Sequence, residues 1–70
     1  MKEENNKMSE DREKSLIYEY EKIRRQGQFN MMIDSNYIAK NVMKCTEDEY
    51  MYVLFNYNEL MEKYKIKELF

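Results

Sequence analysis

This 70-residue chain has no proline, no histidine and no tryptophan, and only one glycine and one cysteine. Without proline, and with almost no glycine, the strongest helix breakers are missing, so the composition points to a mostly helical chain. A single thiol, Cys45, cannot form an internal disulfide, and without histidine no ordinary zinc set can be assembled. The usual staples of small domains are therefore excluded. Acid–base catalysis also loses its commonest near-neutral group, and Cys45 has no histidine base to activate it. Lys44 beside it could lower its pKa, but a structural or incidental role is expected. No stretch approaches the roughly 20 apolar residues of a membrane span, and Met1, Lys2, Glu3, Glu4 is not the opening of a signal peptide. No membrane contact is expected, and a cytoplasmic location, in a host cell or in a virion made there, is the natural reading.

What is present is aromatic and charged. Seven tyrosines and seven methionines accompany 12 basic and 14 acidic side chains, for a net charge of −2. That balance lacks the positive field of a dedicated nucleic-acid binder. A chain this short forms one domain and buries a small share of its surface, so a partner protein or a second copy of the chain would help to stabilise it.

Residues 1–8 are polar, without apolar periodicity, and read as a disordered tail ahead of a single helical domain over 9–70. Ser9 is a natural N-cap, Glu10 and Asp11 suit the first helical turn, and Leu16, Ile17, Tyr20 and Ile23 make one apolar face. Glu19 and Glu21 fall on the expected solvent side. Arg24 and Arg25 complement the helix C-terminus, and Gly27 stops it. The connection Gln28 to Ile33 holds Phe29, Met31, Met32 and Ile33, too apolar for a loop left in water, and is expected to pack on the core. Asp34 or Ser35 caps a short second helix with Tyr37, Ile38, Val42 and Met43. Thr46, Glu47, Asp48 and Glu49 form a capping box for a third helix of about five turns, carrying Tyr50, Val53, Leu54, Tyr57, Leu60, Met61 and Tyr64 inward. The tail Lys65 to Phe70 is expected to prolong that helix, with Leu69 and Phe70 either folding back or staying exposed. The expected fold is thus all-α, a small three-helix domain: long helix, packed loop, short helix, long helix. Its expected core is Leu16, Ile17, Tyr20, Ile23, Phe29, Met31, Ile38, Val42, Tyr50, Val53, Leu54, Tyr57, Leu60, Met61 and Tyr64.

The run Ile23, Arg24, Arg25, Gln26, Gly27, Gln28, Phe29, Asn30, Met31, followed by Asp34 and Ile38, resembles a family of short proteins encoded by phages and prophages. That family carries an Ile-Arg-x-x-Gly-x-x-Asn-Met pattern with an Asp at the start of a second helix. This chain has Met32 and Ile33 where the family pattern has a single aromatic residue. The resemblance implies a phage or mobile-element origin and brings no reaction with it, since the family has no assigned activity.

No catalytic residue, metal ligand or cofactor is expected. Glu47, Asp48 and Glu49 crowd one helix start, but the ligand spacing of a calcium loop is missing, and capping accounts for them. The same three acids sit where a helix-turn-helix protein would face DNA. Basic patches formed by Lys22, Arg24, Arg25, Lys40 and Lys44, or by Lys63, Lys65 and Lys67, would give weak, salt-dependent phosphate binding. Met51 and Phe55, four apart, and Tyr52 lie beside the core stripe of the third helix. Aromatic residues, methionine and arginine are favoured at interface centres, so Arg24, Arg25, Met51, Tyr52 and Phe55 are the expected partner-binding residues. The expected function is that of a non-enzymatic phage-type accessory protein docking on a host or phage protein. It would serve either as a host-directed inhibitor, for example an anti-defence (anti-CRISPR) protein, or as a small virion-assembly component. The alternative is a small dimeric nucleic-acid-associated regulator.

Overall fold

The computed structural model describes residues 8–70, so the expected tail lies outside it except for Met8, which packs against the core. The described residues are all-helical, but with four helices and a closing 3-10 turn rather than three helices. Helix α1 spans Glu10–Gln26, and the Ser9 hydroxyl accepts from the Arg12 backbone N–H at 3.2 Å. Gly27 ends it with φ 71°, its N–H donating to the Arg24 carbonyl at 3.2 Å, a left-handed conformation that glycine adopts without a Cβ penalty.

Helix α2 begins as Ser35–Tyr37 and continues as a π-helical turn, Ile38–Val42. The Met43 N–H donates to the Ile38 carbonyl, five residues back, at 2.8 Å. This wider turn overturns one core assignment. In an α-helix Val42, four residues on, would sit over Ile38; here the extra residue in the turn brings Met43 inward at 9 % exposure and leaves Val42 37 % exposed. Ile38 and Ala39 are fully buried beside it.

Helix α3, Glu47–Phe55, starts with the expected capping box: Thr46 Oγ1 accepts from the Glu49 N–H at 3.0 Å, and Glu49 Oε1 accepts from the Thr46 N–H at 3.1 Å. The expected five-turn helix then breaks at Asn56 (φ −112°, ψ 23°), and α4 runs over Tyr57–Lys63. Asn56 Nδ2 donates to the Tyr52 carbonyl at 2.8 Å, on the oxygen that already accepts the ordinary helical bond from the Asn56 backbone N–H at 3.1 Å. Such side-chain bonding to the preceding turn is how asparagine competes with helix propagation. Lys65 follows α4 at φ 51°, and the 3-10 turn Ile66–Leu69 brings Ile66 into the core.

Helix α1 packs against both α3 and α4, while α2 packs on α3. The fully or nearly fully buried apolar set is Leu16, Ile17, Tyr20, Ile23, Ile38, Ala39, Met43, Tyr50, Val53, Leu60 and Ile66. Phe29, Met31, Leu54, Tyr57, Met61 and Tyr64, expected in the core, are partly buried against it. Tyr20 links the two long faces, its ring 5.5 Å from Tyr50 and 5.6 Å from Tyr57, tilted toward each. The loop is packed only in part, since Met32 and Ile33 project into water.

Burial at these positions ranks the stability losses. Leu60→Ala, at 3 % exposure, is expected to cost about 2–5 kcal/mol by transfer and cavity terms together. Leu54→Ala, where the side chain already meets solvent, should cost clearly less, and urea denaturation of the two variants checks the order. Lys65 holds a left-handed conformation that costs an L-residue about 1–2 kcal/mol. Lys65→Gly should therefore leave stability unchanged or raise it by up to about 1 kcal/mol, read from the same curves.

Candidate functional site

Two carboxylates on α1, Glu13 and Glu21, stand out because they are inside the protein. Glu21 was expected on the solvent side and is instead fully buried, at 0 % exposure. The eight-residue spacing sets the two roughly 12 Å apart along the helix on its inner side. Neither is left without partners, and among the described residues no buried side-chain nitrogen or oxygen is unpaired.

Glu21 is held from three sides. Arg24 donates through Nε to Oε1 at 2.9 Å and through Nη2 to Oε2 at 3.1 Å, a two-point fork. Arg25 Nε donates to Oε2 at 2.6 Å, and the Tyr57 hydroxyl donates to Oε1 at 2.6 Å. The Arg24 guanidinium also lies over the Tyr57 ring at 5.3 Å, and that of Arg25 over Phe70 at 4.8 Å. Phe70 in turn stacks on Tyr18 at 5.2 Å, so the end of the chain folds back on α1.

Glu13 forms the second cluster. It accepts hydrogen bonds from the Tyr52 hydroxyl, from the Tyr64 hydroxyl at 2.5 Å and from Lys63 Nζ at 3.2 Å. Burial raises the pKa of both carboxylates, but their donors outweigh it and hold both below the ordinary glutamate value. The tyrosines show the converse. Bonding to Glu13, with burial, pushes Tyr52 up to about 12, and burial with the Glu21 bond raises Tyr57. Lys63, bonded to Glu13 and beside Tyr64, is pushed up to about 12. Both carboxylates are ionised, buried and partnered, while Arg24, Arg25 and Lys63 reach them from side chains still nearly half in solvent, an arrangement that suits bracing helices.

The five expected contact residues therefore divide. Arg24 and Arg25 are gathered on Glu21, and Tyr52 is drawn to Glu13, while Met51 and Phe55 remain on the outer side of α3, Phe55 at 72 % exposure. Sequence reading missed Met32 at 66 % and Ile33 at 80 % exposure, with Tyr37 also exposed and its ring 5.7 Å from Phe29. The signal was the apolar content of this loop, read as burial when half of it is display. Cys45 is half-buried, and burial with the nearby Glu49 carboxylate raises its pKa, opposite to the lowering that Lys44 would have produced. Arg12, bonded to Glu49 at 2.9 Å, is another cation tied to an acid.

Among the described residues no group of three or more histidine, cysteine or acidic side chains is placed to hold a metal ion. Within the same residues no helix is long and apolar enough to cross a membrane. Comparison with protein-family models, with curated proteins and with solved structures gives no match.

The carboxylate clusters set the pH response. Both glutamates have folded pKa values below the unfolded value of about 4.3, so their contribution is present above that pH and is lost as pH falls through the folded values. Tyr52 is raised, so its contribution is present below about pH 10 and is lost as pH rises toward about 12. The melting temperature should be flat from about pH 5 to 9 and fall on either side, as pH-series thermal melts would record. Glu21→Gln should cost about 1–3 kcal/mol near neutral pH and flatten the acid limb.

Proposed function

We propose that this chain is a non-enzymatic, phage-type accessory protein that acts by docking onto another protein. The observation that carries this reading is the contrast between its polar and apolar groups. The strongest charged clusters are closed on themselves, whereas Ile33, Met32 and Phe55 stand well into solvent. Large apolar side chains scattered singly are ordinary; several held out on a short, well-braced fold favour a contact surface. The loop tip and the outer side of α3, with Met51 and Phe55, are the surface assigned to that contact. Arg24, Arg25 and Tyr52 contribute only through the solvent-facing parts left over from their internal bonds.

The resemblance of the Ile23–Asp34 stretch to short phage and prophage proteins favours two uses: a host-directed inhibitor of the anti-defence (anti-CRISPR) kind, or a small part of virion assembly. Glu47, Asp48 and Glu49 at the start of α3, and the pairing of Arg12, Arg24 and Arg25 with carboxylates, weigh against a nucleic-acid-associated regulator.

Affinity capture from a lysate of the native host, with and without nuclease, tests this. A stoichiometric protein partner should survive nuclease and be lost with Phe55→Ser combined with Ile33→Ser, two exposed substitutions that leave folding intact. Recovery that depends on nucleic acid and falls steeply between low and moderate salt would contradict docking on protein.

A further inference from the structure

Two joints of the fold differ in how they are held. The loop between α1 and α2 is closed by its own side chains. Asn30 Oδ1 accepts from the Met32 N–H at 3.0 Å and the Ile33 N–H at 2.9 Å. Asp34 Oδ2 accepts from the Asn30 N–H at 2.9 Å, and the Tyr50 hydroxyl donates to the Met31 carbonyl at 2.6 Å. The joint between α3 and α4 is Asn56 alone. Its side chain bonds back to Tyr52 and does not cap α4. The N–H groups of Tyr57, Asn58 and Glu59 therefore begin α4 with no acceptor inside that helix. An open notch of about 220 Å³, lined by residues 54–59, borders the joint and leaves the backbone room to turn.

The apolar pattern runs straight through this joint. Tyr50, Leu54, Tyr57, Met61 and Tyr64 follow one another at spacings of four, three, four and three, the pattern of one continuous amphipathic helix. In such a helix the carbonyls of Val53, Leu54 and Phe55 would accept from the N–H groups of Tyr57, Asn58 and Glu59. What the bend provides instead is packing on α1. Helix α4 lies on α1, Tyr64 and Lys63 bond to Glu13, and Phe70 stacks on Tyr18. A second copy presents that same α1 surface, complementary to α4 in every side chain. Two chains that trade their α4 segments keep the contacts to α1 and add the helical bonds across Asn56.

We propose that two copies of the chain exchange the segment beyond Asn56. Helices α3 and α4 join into one helix, and the α4 of each copy packs on the α1 of the other. Each Glu13 cluster then draws Tyr52 from its own chain and Tyr64 and Lys63 from the second. Exchange of identical elements is a low-cost route to a closed dimer. Concentration sets the ratio of bent monomer to exchanged dimer. Interconversion is slow, because α4 must leave α1 before it can be traded. The exchange uses neither the loop tip nor Phe55, so it stands or falls separately from docking on another protein.

Refolding an equimolar mixture of isotopically heavy and light chains from urea at millimolar concentration, followed by size exclusion, tests it. A dimer should form and persist on dilution. Lys63 Nζ lies 3.8 Å from Glu10 Oε2 and 3.2 Å from Glu13 Oε1, so a zero-length carbodiimide can join Lys63 to α1 through an amide. Mass spectrometry of the diluted fractions reads which chains are joined. The dimer should yield heavy–light pairs, and the monomer pairs of one label only. Asn56→Ala places a better helix former at the joint and should raise the association constant about tenfold, since each dimer holds two such positions. Asn58→Pro should abolish the dimer. Proline is tolerated in the first turn of α4, but inside a continuous helix it clashes with the Leu54 carbonyl. A urea curve like that of wild type at low concentration would show that the Asn58→Pro monomer folds. A wild-type chain that refolds wholly to monomer, a dimer whose Lys63 links join only chains of one label, or a folded Asn58→Pro chain that dimerises as well as wild type would overturn the proposal.

Discussion

The structure depends on how α1 buries two negative charges. Taking a carboxylate out of water costs several kcal/mol unless attraction and hydrogen bonds offset it. Glu21 finds two of its donors, Arg24 and Arg25, on its own helix, within a turn. Its remaining donor, and all those of Glu13, come from the α3–α4 segment: Tyr57, Tyr52, Lys63 and Tyr64. Had α3 and α4 formed one straight helix, Tyr52 and Tyr64 would stand roughly 18 Å apart along its axis. Both hydroxyls meet on Glu13, so the polar requirement of α1 and the bend at Asn56 belong to one solution. Tyrosine suits the task because its ring fills apolar space while its hydroxyl reaches a buried acceptor.

That solution also explains how a domain without disulfide or metal holds together. Leu16, Ile17, Ile23, Ile38, Val53, Leu60 and Ile66 make up most of the apolar interior, and Tyr20 joins it to Tyr50 and the partly buried Tyr57 through tilted ring contacts. Each carboxylate binds groups far apart in the chain, Glu13 reaching residues 39, 50 and 51 positions away. These ties close the termini of α1 onto α3 and α4, while the π turn and the latched loop close the middle of the chain. With the interior committed to bracing, the large apolar side chains that stand furthest into solvent are Met32 and Ile33 at the loop tip and Phe55 on α3.

Local chemistry was legible in the sequence. Ser9, Gly27 and the Thr46–Glu49 pair announce helix ends through bonds that span three or four residues, and each is found where its pattern places it. The α1 face Leu16, Ile17, Tyr20 and Ile23 was equally plain, being regular helix. What escaped were departures from regular helix and contacts between distant residues. Val42 and Met43 exchange places because the π turn alters the period on which the reading relied. Asn56 carried a weak signal, an asparagine inside a helical pattern, whose weight came from tertiary ties that spacing cannot show. Glu21 has an arginine three residues on and another four on, a spacing that could have marked it as held; the three donors of Glu13 have no local trace. At the candidate surface, Met51 and Phe55 were readable as surplus to the core stripe. Met32 and Ile33 were not, because apolar loop residues look alike whether tucked in or held out until the bonds of Asn30 and Asp34 are known.

The central claim is that Tyr64 returns to Glu13 across the bend at Asn56. A double-mutant cycle of Glu13→Gln and Tyr64→Phe, read by urea denaturation, tests it most directly. A coupling energy on the order of 1 kcal/mol or more is predicted. Additivity of the two substitutions within about 0.3 kcal/mol would contradict the account, because two residues that far apart in sequence couple only if the end of α4 packs back on α1.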